Sequence, residues 1–370
     1  LDLTLPGKDG LEVIEEVMSK RPTPILVISG RAHDPEVALE ALARGAVEVI
    51  EKPELSQADT SSLEQEAARL GELVRVLSRV KVIRHVKAKL VRKTEGAPGP
   101  GSAAASTETK PFVGTRSGAA SRVGPVDSPG KLAGARRNQG LQVVAEPVPT
   151  DKTKAIGLDR YVPKTIVGIA ASTGGPQALR EVLGGLTPGL GAPVLVVQHI
   201  ARGFTESFVQ WLSGATGLRV DLGRDGMPLH PGVVYVAPED AHMVVRSGRL
   251  KLVQAQPQDK HVPSADVLFR SIAEEAEESS ICVVLTGMGN DGALGAAAVE
   301  AAGGKVIVQD EETSAVFGMP KAVLDSGIAA RVLPLSEIPA AIETWVRENA
   351  GEQDMTRRSS FDAESAELGS

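Results

Sequence analysis

Short apolar runs alternate with amphipathic stretches along most of this chain, and no other feature limits its fold so strongly. The runs Pro24-Ile-Leu-Val-Ile-Ser29, Thr165-Ile-Val-Gly-Ile-Ala-Ala171, Pro193-Val-Leu-Val-Val-Gln198 and Ile281-Cys-Val-Val-Leu285 read as strands. The stretches between them carry apolar residues at helical spacing. Alternation of this kind implies parallel sheets with helices on their faces. The expected class is α/β, with two doubly wound domains.

Residues from about 95 to 154 break the pattern. They are rich in Gly, Ala, Ser, Pro and Thr and hold no sustained periodicity. Such a stretch buries too little apolar surface to offset its ordering entropy and is expected to be a flexible linker. The polar tail after Ala350 reads the same way. The expected organisation is a first domain over 1–92, a linker over 93–160, a second domain over 161–349 and a tail over 350–370.

In the first domain we expect a strand at the start, a helix near Gly10–Ser19, the strand ending at Ser29, a helix near Pro35–Ala43 and a short strand Val47–Ile50. A long helix should follow. Its expected start is the Ser61/Glu64 capping pair, with Leu63, Leu70, Leu73, Leu77 and Val80 on one face. Asp2, Ser29 and Lys52 then fall at the carboxyl ends of three strands, the edge where open α/β sheets bind ligands.

The segment Asp2-Leu-Thr-Leu-Pro-Gly-Lys-Asp-Gly10, with Ser29 and Lys52-Pro53 in the same order, resembles the receiver domains of response regulators. The resemblance implies a flavodoxin-like fold, Asp2 as phosphoacceptor, and Ser29 and Lys52 as the switch hydroxyl and lysine that take up phosphoryl charge. It is a partial receiver. The family's opening strand, first helix and second strand do not precede Asp2 here, nor does the acidic pair that would hold the Mg²⁺ needed for phosphorylation.

The second domain carries denser chemistry. An apolar strand runs into Ser172 and turns sharply into a helix near Pro176. Small residues and helix-start N–H groups surround that hydroxyl, so the turn suits either a nucleophile with an oxyanion or a bound phosphate. A helix Gln177–Leu183 leads to the strand that ends before His199. Helices near Thr205–Leu212 and Ser264–Glu277, strands near Val233–Ala237 and Lys305–Val308, a hairpin at Met243–Val253 and a last helix near Glu337–Asn349 complete a Rossmann-like pattern. The loop Thr286-Gly-Met-Gly-Asn-Asp-Gly292 puts Asp291 beyond the strand 281–285. Ser172, His199 and Asp291 therefore each follow a buried strand of one sheet.

Ser, His and Asp at one point are what acyl transfer requires: a nucleophile, a base that returns its proton to the leaving group, and a carboxylate that orients the ring. Taken singly, Ser172 reads more often as a cap or phosphate ligand than as a nucleophile, His199 as a hydrogen-bonded structural residue, and Asp291 as a loop-stabilising one. Two templates fail. The α/β-hydrolase elbow needs Gly where Ala170 stands, and its triad order differs. A dinucleotide fingerprint from Gly168 meets Ala170 and Thr173 where glycines belong.

Composition narrows the alternatives. Apolar residues make up 42% and aromatics 3%, and the net charge of −7 argues against a nucleic-acid binder. No basic helix-turn-helix candidate follows the linker. The single cysteine, Cys282, lies inside an apolar strand, so no disulfide framework is expected. His33, His85, His230, His242 and His261 show no metal-ligand spacing, and no metal is expected. No apolar run approaches the ~18 residues that cross a bilayer. A cytoplasmic protein without membrane insertion is the expectation, with a fragment end at Leu1.

Ala171-Ser-Thr-Gly-Gly175, Gln198-His199 with Gly203-Phe204-Thr205, Ala237-Pro238 with His242-Met243, His261–Phe269, Leu285–Gly292 and Val316-Phe-Gly-Met-Pro320 together resemble the chemotaxis protein-glutamate methylesterase of bacteria. The resemblance spans 161–349. It implies Ser172 as nucleophile, His199 as base and acid, Asp291 as orienter, and Met288 beside the oxyanion through its N–H. Thr173 adjoins the nucleophile, and His261 matches a histidine near the site. The implied substrates are glutamyl methyl esters on methyl-accepting chemoreceptors, with deamidation of receptor glutamines by the same route. No cofactor is needed for hydrolysis. A histidine kinase would phosphorylate the receiver and shift it off the cleft. Two other readings stay open here: a catalytically silent receptor-binding module, and a phosphate or nucleotide binder using the Ser172 turn.

Overall fold

The computed structural model describes residues 1–52, 60–78, 80 and 163–351. The expected linker over 93–160 and nearly all of the tail lie outside the described residues. No helix among the described residues is long and apolar enough to cross a membrane.

The N-terminal part runs α1 (Gly10–Lys20), β1 (Leu26–Ser29), α2 (Pro35–Ala43), β2 (Glu48–Glu51) and α3 (Thr60–Leu77). The Asp9 and Asp34 carboxylates accept the N–H groups of Leu11 and Glu36 and so cap α1 and α2. β1 and β2 pair in parallel, Leu26 opposite Glu48 and Ser29 opposite Glu51. Two expectations need correction. The chain start is not a strand: the Leu1 amino group and carbonyl bond Leu26 O at 2.9 Å and Ile28 N at 2.8 Å, and pairing goes no further. The α3 helix already includes Thr60, so Ser61 is a helical residue and cannot be its N-cap.

The C-terminal part runs β3 (Ile166–Ala171), α4 (Gly175–Gly184), β4 (Val194–Gln198), α5 (Thr205–Thr216), β5 (Arg219–Leu222), β6 (Val233–Val236), β7 (Ala241–Arg246), β8 (Arg249–Gln254), α6 (Ala265–Ala276), β9 (Ser280–Val284), α7 (Ala293–Ala301), β10 (Lys305–Gln309), α8 (Met319–Asp325), β11 (Ala330–Leu333) and α9 over 338–351. Seven strands form one sheet in the order β11-β10-β9-β3-β4-β6-β5, all parallel. β7 and β8 form a separate antiparallel hairpin.

The two-residue period of a strand explains why these runs are apolar throughout. Val167, Ile169, Val194, Val196, Ile281 and Val283 face a core built with α4, α5 and α9. Ile166, Ala170, Leu195, Val197, Cys282 and Val284 face the opposite core, built with α6, α7, α8 and the hairpin. Burial of each such Val, Leu or Ile side chain contributes about 1.5–3 kcal/mol relative to exposure. It also pushes the Cys282 thiol pKa upward, so this cysteine is packing rather than chemistry. The order of the sheet reverses beside β3, with β4 on one side and β9 on the other. Ligands gather at that kind of reversal, beyond the carboxyl ends of the strands.

Leu39 and Leu42 of α2 belong to the same core as α4 and α5, and the Gln177 side-chain amide donates to the Leu42 carbonyl. Val47 and Leu77 pack with Val316, and Leu73, Val80, Met288 and Ala315 border that cluster.

Candidate active site

The turn out of β3 is shaped by what surrounds Ser172. The Ser172 N–H donates to Thr286 O at 3.0 Å, and Gly175 N–H closes the turn onto Ser172 O at 2.8 Å. Gly174 holds φ +74° at the helix start, and a Cβ there would lie 2.5 Å from Ala315 Cβ. Both conformation and space therefore demand glycine. The Gln198 side-chain amide donates to the carbonyls of Ser172 and His199, each at 2.9 Å, tying the ends of β3 and β4 together. The Thr286 hydroxyl donates to Thr173 O at 2.9 Å. Carbonyls around the turn are thus occupied. Among the described residues, the N–H groups of Thr173 and Met288 meet no acceptor and the Ser172 hydroxyl makes no hydrogen bond.

His199 follows β4, and its Nε2 lies 2.9 Å from Asp291 Oδ2. A carboxylate only accepts, so Nε2 carries a proton, and among the described residues Nδ1 makes no hydrogen bond. The ring stacks on that of His261, with centroids 4.8 Å apart and planes 11° from parallel. Burial, and then His199, lower the His261 pKa. The stacked neighbour is therefore biased toward its neutral form.

Asp291 is buried at the start of α6. Its Oδ1 accepts Ser264 Oγ at 2.8 Å and Asp266 N at 3.0 Å, and its Oδ2 also accepts Ala265 N at 2.7 Å. Burial alone would raise its pKa. The bonds from His199, Ala265 and Asp266 outweigh burial and bring it down from 3.8 to about 2. Asp266 returns the arrangement: its Oδ1 accepts Gly292 N at 2.9 Å and Gly295 N at 2.7 Å at the start of α7. Each carboxylate thus sits at the other segment's helix start, where partial positive charge favours it.

A depressed folded-state pKa gives stability that is complete above the unfolded value and lost as pH falls through the folded one. The melting midpoint of the wild-type chain is accordingly expected to converge toward that of Asp291→Asn between pH 4 and pH 2. Calorimetry across that range checks it. A difference between the two that stays constant would show that Asp291 is not held ionised by its partners.

Gly287 sets the spacing between the β9 loop and the serine. A Cβ on it would fall 2.3 Å from Met319 Sδ and 2.8 Å from Ser172 Cβ. Gly287→Ala is expected to cost about 1–3 kcal/mol of stability through overpacking. It should also lower any Ser172-dependent turnover by about 10²-fold through displacement of the reacting group. Denaturant melts and steady-state rates on the same preparation separate the two effects.

Of the residues singled out from sequence, Ser172, Thr173, His199, Met288 and Asp291 stand at the ends of β3, β4 and β9, which are neighbours in the sheet. Ser264 and Asp266 were not singled out. Ser264 does carry a sequence signal, as a serine directly before the amphipathic run of α6.

Asp2, Ser29 and Lys52 form a second cluster. Ser29 Oγ donates to Asp2 Oδ1 at 2.7 Å, Thr4 N to the same oxygen at 3.0 Å, and Lys52 Nζ lies 3.6 Å from Oδ2. The Ser29 hydroxyl first, then the Thr4 N–H, hold the Asp2 carboxyl below its usual range. Among the described residues no group of three or more His, Cys, Asp or Glu is placed to hold a metal ion. The donors around Asp2 are a hydroxyl, an N–H and an ammonium.

The family model for the CheB methylesterase matches residues 167–342, from β3 into α9. Curated relatives match almost the whole chain. Protein-glutamate methylesterase/protein-glutamine glutaminase 4 of Myxococcus xanthus is 32% identical over 353 residues, covering 95% of this chain and 84% of that protein. Protein-glutamate methylesterase/protein-glutamine glutaminase 2 of Anaeromyxobacter dehalogenans is 35% identical, covering 94% and 82%. Protein-glutamate methylesterase/protein-glutamine glutaminase of Symbiobacterium thermophilum is 36% identical, covering 94% and 83%. The solved CheB methylesterase catalytic domain of Thermotoga maritima is 39% identical, covers 49% of this chain and 97% of that one, and has a TM-score of 0.47. Relatives that share one name along more than nine-tenths of its length, and a family domain that spans the sheet holding the site, place this chain in the CheB methylesterase family.

Proposed function

We propose that this chain hydrolyses γ-glutamyl methyl esters on the cytoplasmic helices of methyl-accepting chemoreceptors, with Ser172, His199 and Asp291 as its triad. The observation that carries this reading is the 2.9 Å pair of part-buried His199 and buried Asp291, each beyond the end of a strand that flanks the one leading to Ser172. His199 Nδ1 takes the Ser172 proton as Oγ attacks the ester carbonyl. Asp291 stabilises the imidazolium, and the N–H groups of Thr173 and Met288 hold the oxyanion. Collapse expels methanol with the proton from His199. Water then releases the glutamate carboxylate by the same steps in reverse order. Receptor glutamines follow the same acyl-enzyme route with ammonia as leaving group.

The test is methanol release from a methylated receptor cytoplasmic fragment mixed with the full chain. Release of methanol with equimolar new carboxylate is expected. No release, either from this chain or from a Leu42→Asp variant, would overturn the reading.

Regulation belongs to the same proposal. Phosphorylation of Asp2 by a histidine kinase, with Ser29 and Lys52 taking up charge, would shift the contacts of α2 with α4 and of Val47 and Leu77 with Val316. The site of action in this reading is the cytoplasm. Breaking the α2 contact directly by Leu42→Asp is expected to raise kcat/KM by about tenfold, within the range of ordinary site-to-site couplings. An unchanged kcat/KM would show that the contact does not restrain the site.

A further inference from the structure

A second histidine–carboxylate pair lies behind the first. His242, on β7, is 3% exposed, and its Nε2 lies 2.9 Å from Asp259 Oδ2. Its other ring nitrogen, Nδ1, accepts the backbone N–H of Ser264 at 3.1 Å. A backbone N–H only donates and a carboxylate only accepts, so the proton position follows from the heavy atoms alone. Nδ1 is unprotonated and Nε2 carries the hydrogen. Asp259 is itself fixed, its Oδ2 accepting Gln256 N at 2.7 Å.

The chain of bonds continues to the triad. Ser264 is the N-cap of α6, its hydroxyl donates to Asp291 Oδ1 at 2.8 Å, and the next N–H, of Ala265, donates to Asp291 Oδ2 at 2.7 Å. Asp291 Oδ2 then meets His199 Nε2 at 2.9 Å. Ser264 is thus held from behind by His242, and its hydroxyl and the Ala265 N–H are the two donors presented forward to the carboxylate. We propose that His242 is a positioning residue for ester hydrolysis, its Nδ1 anchoring the Ser264 cap that aims Asp291 at His199. This rests on Asp291 being the orienting carboxylate of the triad. His242 touches no reacting atom, so it acts on turnover and not on substrate binding.

Two substitutions split the ring's roles. His242→Asn keeps an acceptor where Nδ1 stood and loses the reach to Asp259. His242→Gln keeps the reach and loses the acceptor. Rates of methanol release by the full chain from a methylated receptor fragment are measured beside Ser172→Ala. The expected result is kcat down about tenfold in His242→Gln with KM unchanged, in keeping with a modest displacement of a triad member. His242→Asn should stay within about twofold of wild type, because it retains the anchor for Ser264. Equal losses in both variants would reduce His242 to packing and overturn the proposal, as would a loss confined to KM or no loss at all. Should His242→Gln fail to fold, Asp259→Ala replaces it. It removes the acceptor of the Nε2 hydrogen and frees the ring to turn or change tautomer, so kcat should fall with KM unchanged, and an unaltered kcat would overturn the proposal. Full activity in Ser172→Ala would sink the triad reading and this inference together. A dead Ser172→Ala beside unaffected His242 variants would sink only the latter.

Discussion

Replacing Ser172 with alanine is expected to lower methanol release by about 10⁶-fold, the scale on which removal of a triad nucleophile acts elsewhere. The fold should not register the change. Among the described residues the Ser172 hydroxyl bonds nothing, while its backbone N–H and carbonyl are the groups that tie the turn to Thr286, Gly175 and Gln198. All of those survive in alanine. A melting midpoint equal to wild type, together with collapsed turnover, is therefore the expected pair of readings. The residual rate should still exceed the uncatalysed one by about 10³-fold if the N–H groups of Thr173 and Met288 polarise the ester. A variant that keeps most of its turnover would remove Ser172 from the mechanism.

Asp291→Asn is expected to cost about 10⁴-fold in kcat, for a reason visible in its partners. Four donors converge on this carboxylate: Ser264 Oγ and Asp266 N on Oδ1, Ala265 N and His199 Nε2 on Oδ2. An amide offers only one oxygen. If its NH₂ takes the Oδ2 place, it faces the Ala265 N–H and drives His199 to the other tautomer, with a proton on Nδ1 and no base toward Ser172. If it takes the Oδ1 place, it opposes the Asp266 N–H at the start of α6. The first arrangement removes catalysis and the second strains the cap, so both activity and stability should fall. Steady-state rates and thermal melts measured together check this. A fully active Asp291→Asn would show that His199 does not depend on this carboxylate for its tautomer.

Much of the site was legible because it lies at the ends of continuous apolar runs. The β3, β4 and β9 runs have no polar alternation, which places them inside a parallel sheet, and the residue types just beyond them name the chemistry. What escaped depends on long-range pairing or on uniform composition. Ala293–Ala301 is rich in alanine on all sides, so α7 shows little periodicity to read. Ala330–Leu333 is a half-exposed edge strand without a strong apolar run. Asp259 and His242 stand 17 positions apart, and only the fold sets them together. The reciprocal capping by Asp266 and Asp291 likewise needs α6 and α7 packed side by side. At α3 local chemistry misled: Ser61 and Glu64 have the spacing of a capping box, yet the helix already includes Thr60.

The central claim is a covalent route through Ser172, and the most direct measurement is the mass of that serine during turnover. The full chain is mixed with excess glutamyl methyl ester peptide, quenched in acid within the first turnovers, digested and weighed. The account predicts that the fragment bearing Ser172 carries the acyl portion of the peptide, that the adduct decays as free carboxylate grows, and that Ser172→Ala shows none. Methanol released at the full rate with no adduct on Ser172, or with an adduct on another residue, would contradict it.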